Sequence, residues 1–184
     1  MTKVLAISGS LRRFSLNTGL LRAAAAHAPA DVEIELYEGL EQLPPFNEDH
    51  EQDPGAIVTD LNNRIREADA VLISTPEYNT TMPGQLKHLV DWGSRPYGPE
   101  ASLYGKPVAV IGSSQTDYGA LWAQDHLRKA LGLAGARVVD AELSVGRAQD
   151  KFDANSELTD AETLGQLEGV VRALVAHHKT LTGV

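Results

Sequence analysis

The sequence predicts an α/β fold, a doubly wound parallel β-sheet with helices on both faces. The main observation is that short apolar runs of strand length recur along the 184 residues and alternate with longer segments of helical pattern. This alternation is typical of parallel strands joined by crossover helices. The length is that of one domain, so we expect a single domain over residues 1–184.

Five apolar runs are the predicted strands. They cover residues 4–7, 32–37, 70–74, 108–111 and 138–141. The first, third and fourth runs show no polar alternation, which indicates central strands that are buried on both faces. The second run does alternate: Val32, Ile34 and Leu36 are separated by glutamates, as in an edge strand with one face in water.

Five segments between and after these runs are the predicted helices. They cover residues 17–27, 56–67, 84–94, 120–133 and 159–177. In the third helix, Leu86, Leu89 and Val90 recur at helical spacing and form an inward-facing stripe. Early in the fourth helix, Leu121 and Trp122 are either subunit-contact residues or core residues, and the sequence leaves both possibilities open.

Residues 40–55 are predicted to be a long loop, because they contain two adjacent prolines and five acidic side chains. We interpret this loop as a surface or subunit-contact element rather than a linker between domains.

The composition excludes several classes of function. Sixteen basic against 25 acidic residues give a net charge of -9, which disfavours binding to nucleic acid or to an anionic membrane surface. The chain has no cysteine, so disulfides, thiolate metal sites and cysteine nucleophiles are excluded, and we predict no metal site. No apolar run approaches the roughly 18 residues of a membrane span. We therefore expect a protein of the cytoplasm.

The loops after the first, third and fourth strands are the predicted functional region. Doubly wound sheets occur in two common strand orders, and in both the ligand lies at the carboxyl ends of the strands around the switch point. These residues alone do not decide between the two orders. In either order, the loops at 8–16, 75–83 and 112–119 are expected to meet there.

The first loop carries the donors of an anion site. It matches neither the dinucleotide fingerprint nor the P-loop. Its candidate ligands lie at the opening of the first helix, where free amides and the helix dipole favour an anion: Ser10, Arg12, Ser15, Leu16 and Asn17. The alternative is that Ser15 only caps the helix and that the arginines are solvated. Without a thiol nucleophile, phosphate binding is favoured over phosphate transfer.

The second and third loops are suited to a planar ligand. Pro76, Glu77, Tyr78 and Asn79 follow a buried strand and offer a ring and hydrogen-bonding groups, although a simple turn with a half-buried tyrosine is the alternative. The third loop contains Ser113 and Gly119 among small residues that let backbone approach a flat ligand, which alone is a weak signal.

A pair of charged residues one helical turn apart follows the second loop. Lys87 and Asp91 fit a surface ion pair better than a catalytic pair.

Two motifs in these loops resemble the NADPH-dependent FMN reductase family of flavodoxin-like proteins, which includes bacterial chromate, quinone and azo-dye reductases. The family pattern G-S-[LT]-R-x-x-S-x-N is matched by Gly9, Ser10, Leu11, Arg12, Ser15 and Asn17. The pattern P-E-Y-N-x-x-x-P-G-x-L-K is matched by Pro76, Glu77, Tyr78, Asn79, Pro83, Gly84, Leu86 and Lys87. The chain departs at His88, where the family usually has asparagine; this position lies on the predicted helix, outside the flavin loop.

The resemblance implies a flavodoxin-like five-stranded sheet of order 2-1-3-4-5 and FMN as the cofactor. The phosphate of FMN would lie against Ser10, Arg12, Ser15 and Asn17, and its ring system would lie beside residues 76–79, with Ser113 and Gly119 on a third side. The co-substrate would be NADPH or NADH, and the partners would be a small-molecule electron acceptor and further copies of the chain in a homodimer or homotetramer.

The implied activity is an oxidoreductase in which electrons pass from NAD(P)H through the flavin to an acceptor such as a quinone, flavin, azo dye or chromate, by a ping-pong scheme. The chemistry would belong to the flavin, so no catalytic side chain is predicted. One alternative is a flavodoxin-type electron carrier without a nicotinamide site; Arg12 argues against it, because such carriers typically hold the phosphate in an uncharged loop. A second is a regulator that senses a phosphorylated ligand, which no DNA-reading element supports.

Overall fold

A five-stranded parallel sheet forms the centre of the fold. The structure, a computed structural model, describes residues 1–183. The strands are β1 (Thr2–Ser8), β2 (Val32–Tyr37), β3 (Ala70–Thr75), β4 (Pro107–Ser113) and β5 (Arg137–Val145). All neighbouring pairs are parallel, in the order β2-β1-β3-β4-β5. The flavodoxin-like order that the resemblance implies is confirmed, and β2 lies at an edge as its alternating pattern predicts.

Five helices cover the two faces of this sheet. They are α1 (Leu16–Ala26), α2 (Ala56–Glu67), α3 (Gly84–Gly93), α4 (Leu121–Leu133) and α5 (Ala161–Thr182). The buried apolar side chains divide into two clusters, one with α1 and α5 and the other with α2, α3 and α4. Strand β3 feeds both clusters, since Leu72 belongs to the first and Ile73 to the second. Two-sided burial explains why β3 shows no polar alternation in the sequence.

Strand β5 is longer than predicted. Its second half alternates, with Leu143 and Val145 buried and Glu142 exposed, so an apolar-run criterion ends too early. Its register against β4 also shifts: Val108 pairs with Val138, but Val110 pairs with Glu142. The guanidinium of Arg128 donates hydrogen bonds to carbonyl oxygens around this irregularity, on Val139, Ala141 and Val110. A side chain therefore replaces the missing ladder partners.

Helix α5 begins and ends later than its predicted bounds. Asp160 caps its first turn by accepting a hydrogen bond from the Thr163 amide at 3.0 Å, and Gly183 ends it with a φ of 73°. Among residues 1–183, no helix combines the length and apolar character that crossing a bilayer requires.

The acidic loop at residues 40–55 lies on helix α3. Gln85 donates to the carbonyl oxygens of Leu40 and Leu43, at 2.8 and 2.7 Å. His88 accepts the amide of Phe46 at 3.1 Å. The residue that departs from the family motif thus has a structural partner. Further along α3, the indole of Trp92 donates to the carbonyl of Pro44 at 2.9 Å. Leu40 and Leu43 are buried in the same apolar cluster as α3, so this side of the loop is covered within the chain.

Candidate functional site

The carboxyl ends of β1, β3 and β4 come together as predicted. Strand β3 lies between the other two, so the loops at 9–15, 76–83 and 114–120 leave the sheet side by side. The amide of Gly9 donates to the carbonyl of Ser74 at 2.8 Å and joins the first loop to the end of β3. The sheet order therefore places all three predicted loops at one edge.

Asn17 connects these strand ends through its buried side chain. Its amide nitrogen donates to the carbonyl of Ser113 at 3.1 Å. Its carbonyl oxygen accepts hydrogen bonds from the Ser74 hydroxyl at 2.8 Å and from the Ser113 amide at 3.0 Å. The first turn of α1 is thereby tied to the ends of both β3 and β4.

The opening of α1 keeps its anion-binding groups free. Ser15 caps the helix, since its hydroxyl accepts the amide of Thr18 at 3.3 Å, and the same hydroxyl still has a proton to donate. The amides of Leu16 and Asn17 find no protein acceptor in the part of the chain that the structure describes. The cap that was weighed as an alternative is present, and it leaves these donors available to a ligand.

The two arginines of this loop are exposed. Arg12 makes no hydrogen bond or ion pair with the described residues, while Arg13 lies over the ring of Phe14, 5.4 Å from its centroid. An unpaired guanidinium four residues before α1, together with the free amides and the positive end of the helix dipole, offers the kinds of donor that a phosphate group needs.

Ser113 supplies an unpaired polar group at the same edge. Its hydroxyl is buried and has no hydrogen-bond partner among residues 1–183, although its backbone amide and carbonyl are both bonded to Asn17. A buried hydroxyl without a partner is costly unless something else pairs with it. Together with the open end of α1, this group fits a phosphorylated ligand with polar atoms along a flat body, such as FMN.

The cavity on the β2 side of the first loop is less suited to an anion. It has a volume of about 180 Å³, and one arginine, Arg22, faces two glutamates, Glu38 and Glu41. Burial raises the pKa of Tyr37 in its wall to about 12, and the carboxylate of Asp60 adds to the rise, so this phenol is neutral at neutral pH. The opening of α1 is therefore better suited to an anion than this cavity, although Ser10 also lines the cavity.

The loop after β3 contains a tight turn that is closed by its own backbone hydrogen bonds. Tyr78 and Thr81 exchange two backbone hydrogen bonds, at 3.0 and 3.2 Å. Between them, Asn79 and Thr80 have φ values of 50° and 63°. This left-handed conformation is unusual for any residue but glycine and strained for a β-branched one. The turn is closed without a ligand.

Two side-chain hydrogen bonds hold this turn against α4. A carboxylate oxygen of Glu77 accepts the amide of Ala123 at 3.1 Å, in the first turn of α4. His126 Nδ1 and the hydroxyl of Thr81 lie 2.9 Å apart. Glu77, predicted to hydrogen-bond the ligand, thus has at least one oxygen directed to the helix. No local pattern in the sequence indicates the bond between Thr81 and His126, because 45 residues separate them.

At position 119, on the loop after β4, the neighbouring backbone leaves no room for a side chain, so glycine is required. It has a φ of 59°, and a Cβ placed on it would come within 2.4 Å of the carbonyl carbon of Ser144. The close backbone of β5 explains this glycine. Its predicted contact with a flat ligand stays a prediction.

Apolar side chains surround the three loops, and two of them, Phe14 and Tyr118, have no signal in the sequence. Those more than two-fifths exposed are Leu11, Phe14, Tyr78, Tyr118 and Trp122. The rings of Tyr118 and Trp122 lie 4.8 Å apart. Leu121 is also exposed, so the alternative that Leu121 and Trp122 are core residues is wrong. Their clustering at one edge is unusual for a surface that faces only water.

The charged pair on α3 is a surface pair, as predicted. The ammonium of Lys87 lies 2.5 Å from a carboxylate oxygen of Asp91, one turn along the helix. Lys87 is about half exposed, so the pair contributes little to stability.

Sheet order and site together define the class of the protein. A parallel sheet of order 2-1-3-4-5 with an open anion site after β1, at the switch point, is the architecture of flavodoxin-like proteins that bind a flavin mononucleotide. The chain belongs to the NADPH-dependent FMN reductase family, whose sequence model matches residues 2–150.

Curated relatives and solved structures agree with this assignment. The chain is 38% identical to an NAD(P)H-dependent FMN reductase of Pseudomonas aeruginosa over 183 residues, which is 98% of this chain and 97% of the relative. It is 38% identical to a quinone reductase of Escherichia coli K12 over 175 residues, 93% of this chain and 92% of the relative. A solved flavoenzyme, an NAD(P)H:(acceptor) oxidoreductase of Paracoccus denitrificans, superposes with a TM-score of 0.87 at 36% identity over 98% of both chains.

These findings confirm the family that the two motifs predict. They also confirm the class of activity and the cofactors: the family is one of oxidoreductases that use FMN and NAD(P)H. The individual ligand contacts of the predicted site residues stay predictions.

Proposed function

We propose that this chain, as a single FMN-binding domain, passes electrons from NADPH or NADH to a quinone-type acceptor by a ping-pong scheme. The observation that carries the proposal is the set of unpaired donors at the opening of α1, on the edge where a flavodoxin-like sheet takes its ligand. A quinone is the first acceptor to test because a relative covering most of the chain is a quinone reductase. Flavin, azo dye and chromate are the other candidates.

Different residues would bind the phosphate and the ring system of FMN. Arg12, Ser10, Ser15 and the amides of Leu16 and Asn17 would bind the phosphate. Residues 76–79 would border the flavin ring, and Ser113 and Gly119 would lie on a third side. Bound FMN supplies the redox chemistry, taking a hydride from the nicotinamide and giving electrons to the acceptor. The protein's part is to bind and orient, so the proposal needs no acid or base from a side chain.

Anaerobic reduction followed by steady-state kinetics tests this proposal. FMN-loaded protein should lose its yellow colour when NADPH or NADH is added and regain it with benzoquinone. Double-reciprocal plots at several quinone concentrations should be parallel, because nucleotide leaves before acceptor binds. Turnover with intersecting lines, and without bleaching before quinone is added, would contradict the ping-pong scheme. If neither nucleotide bleached the flavin and no turnover occurred, an electron carrier without a nicotinamide site would be favoured instead.

We further propose that the chain forms a homodimer or homotetramer through the exposed apolar side chains around the site. The supporting observation is the cluster of Leu11, Phe14, Tyr118 and Trp122 at one edge of the sheet. Light scattering at micromolar concentration should give a multiple of the chain mass of 19.8 kDa. A mass of one chain would rule the assembly out. A cytoplasmic location also stays a prediction.

A further inference from the structure

We propose that the buried side chain of Asn17 acts as a positioning group, which sets the spacing of the three ligand-binding loops, rather than as a ligand of the FMN phosphate. The inference rests on the proposed function, since it concerns how that site is held together. It departs from the role that the family motif implies for this residue.

The hydrogen-bonding capacity of Asn17 is nearly used within the protein. A carboxamide has two N–H donors and an oxygen that accepts two bonds. The oxygen accepts from the Ser74 hydroxyl and the Ser113 amide, and one N–H donates to the Ser113 carbonyl. The side chain is 5% exposed. At most one N–H is left for a ligand.

The orientation of this carboxamide is fixed by its partners. The backbone amide of Ser113 can only donate and the backbone carbonyl of Ser113 can only accept. The oxygen of Asn17 must therefore face the Ser113 amide, and its nitrogen must face the Ser113 carbonyl. No flipped arrangement satisfies both groups.

The position of Asn17 makes these bonds relevant to binding. It is the second residue of α1, so its own amide is one of the free donors at the anion site. Its side chain joins that turn to Ser74 at the end of β3 and to Ser113 at the end of β4. It occupies both backbone groups of Ser113 and leaves the buried hydroxyl unpaired. One side chain thus holds the opening of α1, where the phosphate would bind, at a defined distance from the ends of β3 and β4, where the flavin ring would lie.

Comparing the affinities for FMN and riboflavin distinguishes a positioning role of the Asn17 side chain from direct contact with the phosphate. Riboflavin lacks the phosphate, so a residue that only contacts the phosphate cannot change riboflavin affinity. Asn17→Ala leaves buried groups on Ser74 and Ser113 without partners and loosens the spacing of the loops. We expect both affinities to fall by the same factor, roughly 10-fold or more, with the FMN-to-riboflavin ratio unchanged.

The experiment titrates the full chain, freed of flavin, with each flavin separately and records the thermal midpoint of the flavin-free form. Asn62→Ala is the matched control: Asn62 is also buried and accepts the Ser102 hydroxyl at 2.6 Å, but on α2, away from the site. It should lower the thermal midpoint and leave both affinities unchanged. Should Asn17→Ala fail to fold, Ser74→Ala removes one bond of the same network and should weaken both flavins in parallel.

Two outcomes would overturn the positioning role. One is that Asn17→Ala, or Ser74→Ala in its place, weakens FMN and spares riboflavin, which is a phosphate effect. The other is that it lowers only the thermal midpoint, as Asn62→Ala does. Wild-type protein that bound neither flavin would overturn the proposed function itself, and is therefore distinguishable from both.

Discussion

The loop after β1 and the loop after β3 border the same site and are built in opposite ways. In the first, the amides of Leu16 and Asn17 and the guanidinium of Arg12 have no protein partner among the described residues. In the second, Tyr78 and Thr81 pair with each other, and Glu77 pairs with the start of α4. The first loop leaves its anion donors unpaired, whereas the backbone of the second loop is already closed by hydrogen bonds within the protein.

This difference indicates that one loop determines the affinity for the ligand and the other determines its orientation. Unpaired charged and polar donors gain most of their interaction energy when a ligand arrives, so they should decide how tightly a phosphate is held. A turn that is closed in advance loses little further freedom on binding, so it should decide where a flat ligand lies. The comparison predicts that removing an unpaired donor of the first loop separates FMN from riboflavin and that changes in the second loop do not.

Replacing Arg12 is the largest expected effect. Arg12→Ala removes one charge-assisted contact to the phosphate, worth about 1.5 to 3 kcal/mol, so FMN affinity should fall roughly 10- to 100-fold. Riboflavin affinity and the thermal midpoint of the flavin-free protein should stay unchanged. The loss should be clearest at low salt, where screening is weak. Fluorescence titration with each flavin measures both affinities.

Arg13→Ala is the control for this prediction. Arg13 is also exposed, but it lies over the ring of Phe14 and should not matter for FMN. Equal weakening of FMN and riboflavin by Arg12→Ala would mean that the arginine acts through the shape of the loop. No change in either would remove the charged member from the phosphate site and favour the electron-carrier alternative.

The sequence indicates a class of ligand for the first loop more directly than for the second. Its candidate residues all lie between Ser10 and Asn17, and their types point to an anion whether or not the fold is known; the sheet order then brings them to the switch point. The second loop depends on partners far along the chain, such as Ala123 for Glu77 and His126 for Thr81. Hydrogen bonds of that separation leave no local pattern in one sequence.

Two further cases show the same limit. Gly119 was predicted from its small size, but its reason is the backbone of β5, which only the folded chain reveals. Asn17 was predicted as a phosphate donor from its place in the motif, while its side chain is bonded to Ser74 and Ser113. Residue type indicated the edge of the sheet correctly in both cases. It could not indicate which neighbour each residue meets.

A smaller effect is expected from cutting the bond between the second loop and α4. His126→Ala removes a hydrogen bond worth about 0.5 to 1.5 kcal/mol, so FMN and riboflavin should both weaken, roughly 2- to 10-fold and by the same factor. Thr81→Val removes the same bond from the other side and should have the same effect. The double variant should be no weaker than either single one.

His27→Ala is the matched control for this bond, because His27 is exposed at the far end of α1. It should change neither affinity. A selective loss of FMN affinity in His126→Ala would contradict the division between the two loops, since it would place a phosphate effect on the ring side.

The smallest expected effect is on stability and comes from relieving backbone strain at Thr80, in the second loop. Thr80 holds a φ of 63°, a conformation that costs a residue with a Cβ roughly 1–2 kcal/mol and glycine almost nothing. Thr80→Gly removes that cost, but it adds about 0.5–1 kcal/mol of backbone entropy to the unfolded chain and loses the exposed hydrogen bond to the Asn79 carbonyl. The net gain in the free energy of unfolding should be below about 1 kcal/mol, a rise of roughly 1–3 °C in the thermal midpoint of the flavin-free protein.

Asn79→Gly should gain less stability than Thr80→Gly, because asparagine tolerates the left-handed region better than threonine. Thr80→Gly should bind FMN and riboflavin within roughly 2-fold of wild type, since glycine keeps the turn that the surrounding hydrogen bonds enforce. If Asn79→Gly stabilised the protein more than Thr80→Gly, or if Thr80→Gly lowered the midpoint, the turn would not be strained at Thr80. The second loop would then owe its shape to its hydrogen bonds alone.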